Sequence, residues 1–434
     1  MLLRIAMALA ILPAAFFATT IQLGVARNDD TLETVARDAT EGITVAQAIK
    51  LSLAELDELV VRDLVDDTPL GSNGYPANYD RKRTEVHDNL VRAAVQSSAN
   101  DAYVQPLANI EYALAHYHTL VKEAFAADAR GDERAAVDAY QRANQVMEGT
   151  LFGEADFIDK ANTYVLNDTY DRQQARTRST IGLIAVSWVG LIGFLVVLQL
   201  LLARAFRRLV NPPLLVATVL TVFAGAFALA RLDSSAHHLT AARLQAFDSV
   251  QVLARARAKV VSARQAQGHL LFDPGRGAEA EAQYQSLTEE LFRVQDRDRA
   301  VALAQISQGA NVPEGAGGML AQAAVAGANR RDEMARRTVV ALGDFLAADR
   351  VMRQLLDYNQ PQMAVEHYRR GLTFSQITST IAEAQLEKQA MFDGHARSAA
   401  AATARLDRIA VATAVAVLAL AGLGLYVRLR EYGA

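Results

Sequence analysis

Four stretches of this chain run for about 18–23 residues without a charged side chain, close to the roughly 20 needed to cross hydrocarbon as a helix. They are Ile5–Val25, Ile181–Ala203, Pro213–Ala230 and Ile409–Val427. Core helices of soluble proteins rarely stay uncharged for so long. The composition agrees: 51% of residues are hydrophobic and 21% charged, so the two kinds are segregated into blocks. The reading is four transmembrane helices. For the first block a cleaved signal peptide is the alternative, because Arg4 supplies a charged start and "GVA" before Arg27 a small-residue site. Its apolar run is longer than a usual signal core and Pro13 is tolerated inside lipid, which favours a retained anchor.

Short basic loops stay in the cytoplasm. Arg4, the loop arginines Arg204, Arg207 and Arg208, and the tail arginines Arg428 and Arg430 all fall on one side of the four spans. Arg172, Arg176 and Arg178 lie at the opposite face, but within a long segment, where the rule has little force. The expected order is a first span (1–26), an outer segment (27–178), a second span (179–203), a cytoplasmic loop (204–212), a third span (213–230), a second outer segment (231–408), a fourth span (409–427) and a cytoplasmic tail (428–434). Both termini face the cytoplasm of a multi-pass plasma-membrane protein whose bulk is extracytoplasmic. In the loop, Asn211 suits a helix N-cap and Pro212–Pro213 a first helical turn. The cytoplasmic parts are too small for a kinase, cyclase or DNA-binding domain.

Both outer segments read as helical. Leu32, Val35, Ala39, Gly42, Ala46, Ile49, Leu53, Leu56 and Val60 alternate steps of three and four, the seam of a long helix reaching about Asp66. Turn chemistry fills Thr68–Asp80, helical patterns cover about Arg81–Ser97 and Asp101–Arg130, and "GD" at Gly131–Asp132 breaks the chain. A last helix from Glu133 to Arg178 enters the second span. This makes an antiparallel four-helix bundle. The second segment repeats the plan, with a continuous helix expected from Gln362 to Val427: "AAVDAYQRAN" (Ala135–Asn144) aligns without a gap on "MAVEHYRRGL" (Met363–Leu372), pairing Ala136 with Ala364, Val137 with Val365, Asp138 with Glu366, Tyr140 with Tyr368 and Arg142 with Arg370. The expected fold is therefore an all-α integral membrane protein with four transmembrane helices and two extracytoplasmic antiparallel four-helix bundles, the covalent counterpart of a receptor homodimer. The halves differ in charge: residues 27–178 carry 27 Asp/Glu against 16 Lys/Arg, net −11, and residues 231–408 carry 20 against 22, net +2. A Gly-rich interruption, Gly309–Gly318, lengthens the second.

The turn and helix "GDERAAVDAYQRAN", and the Gln- and Ala-rich run from Phe374 to Arg408 leading into a span, resemble the periplasmic four-helix-bundle sensors of bacterial chemoreceptors and histidine kinases. Two such bundles, four spans and no output domain resemble the actinobacterial GlnX-type transmembrane signal transducer. Abundant Ala and Arg with scarce Lys fit a high-GC actinobacterium. That resemblance implies a relay of acidic amino-acid availability from an extracytoplasmic solute-binding protein to a cytosolic Ser/Thr kinase or other soluble effector.

Chemistry-bearing patterns are few. The sequence has no cysteine, no phosphate-binding glycine loop and no nucleophile elbow. His116 and His118 fall on different faces of a helix, His237–His238 sit beside a span, and His87, His269, His367 and His395 are isolated. Asp66–Asp67 and Asp29–Asp30 read as helix-end solvation, with weak divalent-cation binding as the alternative, and Tyr75/Tyr79 either as turn residues or as a loop closing over a ligand. Ser187, Trp188, Gln199, Thr218 and Thr221 are too little polarity for an ion path through the spans. The expectation is no enzyme, no cofactor, no metal and no nucleic acid, with the lipid bilayer as one partner and the extracytoplasmic ligand unknown. Candidate contacts for a cytoplasmic partner are Arg204, Arg207, Arg208, Arg428 and Arg430. The alternative to a transducer is a structural envelope scaffold or an accessory subunit of a membrane complex.

Overall fold

The computed structural model describes residues 2–33, 40–66, 68–96, 103–206, 211–295, 298–313, 315–326 and 333–432. It is about 90% helix and, among the described residues, has no strand. The chain divides into two compact units. One comprises Met1–Asp38, Leu166–Ala242 and Asp393–Ala434; the other comprises Ala39–Val165 and Arg243–Phe392. The two outer segments of the sequence thus contribute to a single unit.

The first unit is built on α1 (Leu2–Glu33), the later part of α6 (Phe152–Phe206), α7 (Pro212–Ala241) and α15 (Leu406–Tyr432). Three helices are long and apolar enough to cross a membrane among the described residues, and they contain the second, third and fourth blocks. The apolar part of α1, Ile11–Arg27, is shorter, so the expected four spans stand as three here. These helices associate the chain with a membrane. Leu191, Leu195, Leu214, Ala217, Val417 and Ala421 form part of their shared core.

The few polar groups within these helices join one helix to the next. Thr20 on α1 and Ser187 on α6 share a hydrogen bond of 2.9 Å. The Trp188 indole donates to the Thr221 carbonyl of α7 at 2.9 Å, and Gln199 donates to Thr218 at 3.3 Å. Asn211 occupies the N-cap position of α7 ahead of Pro212, but its side chain makes no capping bond. Its amide instead donates to the Gly424 carbonyl of α15 at 3.0 Å. Interhelical bonds of this kind hold apolar helices together where lipid removes the hydrophobic drive. At Gly225 the α6 and α7 surfaces leave no room for a Cβ, which would collide with the Trp188 ring.

In the second unit, α2 (Thr40–Val65), α3 (Ala77–Gln96), α4 (Val104–Asp128), α5 (Glu133–Val146), a π-helical turn (Met147–Leu151) and the start of α6 surround one core. The expected seam is buried along α2 at Ala46, Ile49, Leu53, Leu56 and Val60. Val35 and Ala39, and the side chains of Leu32 and Gly42, fall outside the described residues, as does the junction between α1 and α2. The "GD" break is built as expected: Gly131 takes a φ of 72° and the Asp132 carboxylate accepts from the Ala135 N–H at 3.2 Å, opening α5.

The second outer segment is cut into more pieces than four helices. It holds α8 (Asp248–Phe272), α9 (Gly277–Leu291), α10 (Arg299–Ser307), α11 (Met319–Ala326), α12 (Glu333–Asp357), α13 (Pro361–Arg370) and most of α14 (Leu372–Thr403), around a core of its own. The expected continuous helix from Gln362 to Val427 is interrupted twice. Gly371, with φ 54°, ends α13, and Arg405, with φ 74°, separates α14 from α15. A left-handed residue turns the next N–H away from the i−4 carbonyl, so the helical ladder cannot run through it.

Candidate functional site: the buried polar seam of α2 and α8

The two segments of the second unit meet along α2 and α8, the broadest helix-to-helix contact among the described residues. Glu55 pairs with Arg257, Asp57 with Gln265, and Val61 touches Gly268, so the helices run parallel. Leu53, Leu56 and Val60 already face the α2–α5 core; the next stripe of α2 carries Ala54, Asp57, Glu58 and Val61 into this seam. Two adjacent carboxylates in a buried stripe break the apolar pattern, and their surroundings explain how.

Asp57 is fully buried. The hydroxyls of Tyr117 and Tyr140 donate to its Oδ1 at 2.8 and 3.2 Å, and the Gln265 amide of α8 donates to Oδ2. Gln265 also donates to the Tyr140 hydroxyl at 3.2 Å, and His269 Nε2 lies 2.9 Å from that same oxygen. Five side chains from α2, α4, α5 and α8 thus share one network. Burial raises the Asp57 carboxyl to about 7, against the pull of its three donors. Burial lowers His269 to about 4, so this imidazole is neutral across the physiological range. Glu58 is likewise raised by burial, opposed by the guanidinium groups of Arg62 and Arg264.

A second set of contacts surrounds Tyr368. Arg264 of α8 stacks its guanidinium over the Tyr368 ring at 3.6 Å and donates to the Tyr368 carbonyl, while Glu58 and Arg62 of α2 act on that tyrosine electrostatically. Aligning α2 with α8 end to end, so that Val65 matches Phe272, makes Asp57 the counterpart of Arg264, Glu58 of Gln265, Val61 of Gly268 and Arg62 of His269. Each tyrosine then meets one residue of its own segment's first helix and the corresponding pair of the other's. The residues aligned around Tyr140 and Tyr368 also share their burial: Ala136 and Ala364 are inaccessible, Val137 and Val365 half-buried, Asp138 and Glu366 exposed.

Around this polar centre the acidic first segment faces arginines of the second. Arg255 bonds Asp159 at 2.8 Å, Arg257 bonds Glu55 at 3.2 Å, and Arg369 bonds Asp66 at 2.8 Å. Gln141 donates to Asp273 at 2.6 Å and Gln283 to Glu148 at 3.2 Å. The chain's own second segment therefore presents basic groups to the net −11 segment.

Residues 31–171 match the family model described as Actinobacterial sensor domain. The match covers α2 to α5 and the start of α6, and with them Asp57, Tyr117 and Tyr140; the second segment lies beyond it. It ties the chain to sensing and signal transduction. No curated protein and no solved structure matches the chain.

The arginines expected to contact a cytoplasmic partner are only partly described. Arg204 is exposed in the last turn of α6. Arg207 and Arg208 lie outside the described residues, and Arg428 and Arg430 fall in α15 with their side chains outside them. Tyr75 and Tyr79 stack at 5.1 Å and bind α4 through the His118 carbonyl (3.0 Å) and His118 Nδ1 (2.5 Å), so both rings fasten the 68–76 turn. Asp66 is an ion-pair partner; Asp67 lies outside the described residues. No group of three or more His, Asp or Glu is placed to hold a metal among those residues.

Proposed function

We propose that the chain is a transmembrane signal transducer whose receiving part is the α2–α8 seam. The buried Asp57–Tyr117–Tyr140–Gln265–His269 network carries this reading. A seam closed by directional hydrogen bonds around a buried carboxyl has few well-satisfied arrangements, and a displacement of about 1–2 Å at a packed helix interface moves it from one to another. A ligand or partner shifts that balance only by preferring one arrangement. The paired surroundings of Tyr140 and Tyr368 support a duplicated sensor, two membrane-anchored outer bundles in one chain, acting as the covalent counterpart of a receptor homodimer. The uncharged run Ile5–Val25 in the sequence of α1 supports a fourth span, with both outer segments outside the cell and both termini in the cytoplasm.

In this reading α6, a single helix of 55 residues and about 80 Å, carries movement toward the loop after it. The basic groups Arg204, Arg207, Arg208, Arg428 and Arg430 change spacing and present an altered surface to an acidic cytosolic partner such as a Ser/Thr kinase. The signal is a nutrient, delivered as acidic amino acids by an extracytoplasmic solute-binding protein. Replacing Arg207 and Arg208 with glutamine leaves Arg204 to hold orientation. The variant should insert normally and lose at least half of the wild-type response of the cytosolic partner. An undiminished response excludes the loop as output, and altered cell shape with intact signalling favours the scaffold reading.

A further inference from the structure

A second feature of the same unit lies within its α8–α14 segment and has no part in the seam's hydrogen bonds to Asp57. A cavity of about 210 Å³ opens between α8, α12 and the α13–α14 turn. Phe345 and Met352, both almost wholly buried, form its apolar floor, and Ala348 its wall. Arg264, Gln267 and Asp349 supply its polar side, each more than nine-tenths buried. Arg370 and Leu372 stand exposed at the mouth.

The unused hydrogen-bonding capacity is on the donor side. Gln267 accepts from Arg264 Nη1 at 3.1 Å and donates to Asp349 Oδ1 at 3.0 Å, so its amide is committed at both ends. The other carboxylate oxygen of Asp349 accepts from Arg353 Nε at 2.6 Å. His367 Nε2 is engaged at 3.0 Å with the Ala348 carbonyl. Arg264 has five N–H groups. One meets Gln267 and another the Tyr368 carbonyl, while the buried Nε has no acceptor among the described residues. A buried guanidinium donor left without an acceptor costs several times the worth of an ordinary hydrogen bond. Burial also pushes the two carboxyls in its field, Glu58 and Asp349, toward the neutral form, so neither fully offsets its charge.

We propose that this cavity binds a small organic carboxylate with a short hydrocarbon body, its carboxylate on the Arg264 guanidinium and its carbon chain against Phe345 and Met352. An inorganic anion satisfies the guanidinium but leaves the apolar floor unfilled. A cation or neutral amine brings donors to a site already rich in them. Binding needs no signalling partner, so it is independent of the relay reading and can fail without it.

Sodium butyrate titrated into the full chain in lipid nanodiscs, followed by isothermal calorimetry, tests this. One saturable site per chain is expected, with n-butylammonium and inorganic phosphate failing to displace the ligand. Arg264→Gln should weaken binding at least tenfold. Ala348→Phe, which fills the cavity and leaves the guanidinium in place, should do the same with an unchanged helical signal, and it alone decides if Arg264→Gln fails to fold. No saturable binding to the wild type, equal binding of phosphate, or full affinity in Ala348→Phe overturns the proposal.

Discussion

Asp57 is the residue on which the seam turns, because it is a buried carboxyl with three donors and, among the described residues, no ion-pair partner. Its native value of about 7 lies above the 3.8 of the exposed group, so the folded state holds more protons than the unfolded one between those values. Stability from this group is therefore greatest below about pH 4 and declines as pH rises toward 7. His269 and His118 act in the opposite sense: both fall to about 4 from 6.5, and the stability they contribute above pH 6.5 is lost as pH drops toward 4. Asp57→Asn removes only the first contribution. Its carbonyl can accept from the tyrosines, and Gln265 can turn its unpartnered Oε1 toward the new amide. The stability of Asp57→Asn relative to wild type should rise across pH 4–7 by up to about 4 kcal/mol, because each pH unit between the two values is worth about 1.36 kcal/mol. Chemical unfolding followed by circular dichroism at several pH values measures this; parallel curves would contradict the placement of Asp57. Tyr140 is visible in the sequence through its match to Tyr368. Asp57 is not, because one carboxylate in a helical stripe reads as a solvated position until the partner helix is known. The signal that could expose it is the Asp57–Glu58 pair in a stripe whose flanking positions, Ala54 and Val61, are apolar.

At the scale of elements, Gly268 decides how closely α2 and α8 approach. A Cβ there would collide with Val61 and with the Tyr368 hydroxyl, and overpacking of this kind costs about 1–3 kcal/mol. Gly268→Ala should lower the unfolding midpoint, and Val61→Ala in the same chain should restore part of the loss. Equal losses with and without Val61→Ala would place the two residues apart. Helix positions are largely legible in the sequence, since the three-and-four spacing on α2, the Gly131–Asp132 break and the apolar blocks each follow from local chemistry. The breaks at Gly371 and Arg405 are less so. Arginine is an ordinary helix former, and only the backbone shows it in the left-handed region, where a non-glycine residue costs about 1–2 kcal/mol. The sparse polarity of the spans is plain in the sequence, but its use in joining α1, α6, α7 and α15 emerges only once the helices are side by side.

At the scale of the molecule, the charge imbalance between the segments becomes complementarity within one chain. Glu55, Asp66 and Asp159 on the acidic segment meet Arg257, Arg369 and Arg255 on the other. Exposed pairs contribute little to stability, but opposite faces fix which surfaces meet and in what register. Composition reveals the asymmetry without its meaning, because a count of charges cannot say that the two faces touch each other. The absence of cysteine from the sequence allows the central claim, that α2 and α8 of the same chain form the seam, to be tested directly. Glu55→Cys and Arg257→Cys place two partly exposed thiols at a contact now spanned by a 3.2 Å ion pair. A short bis-thiosulfonate cross-linker applied to a mixture of tagged and untagged chains should join the two sites within each chain, at a yield independent of protein concentration. Cross-linking mainly between tagged and untagged chains would contradict the account.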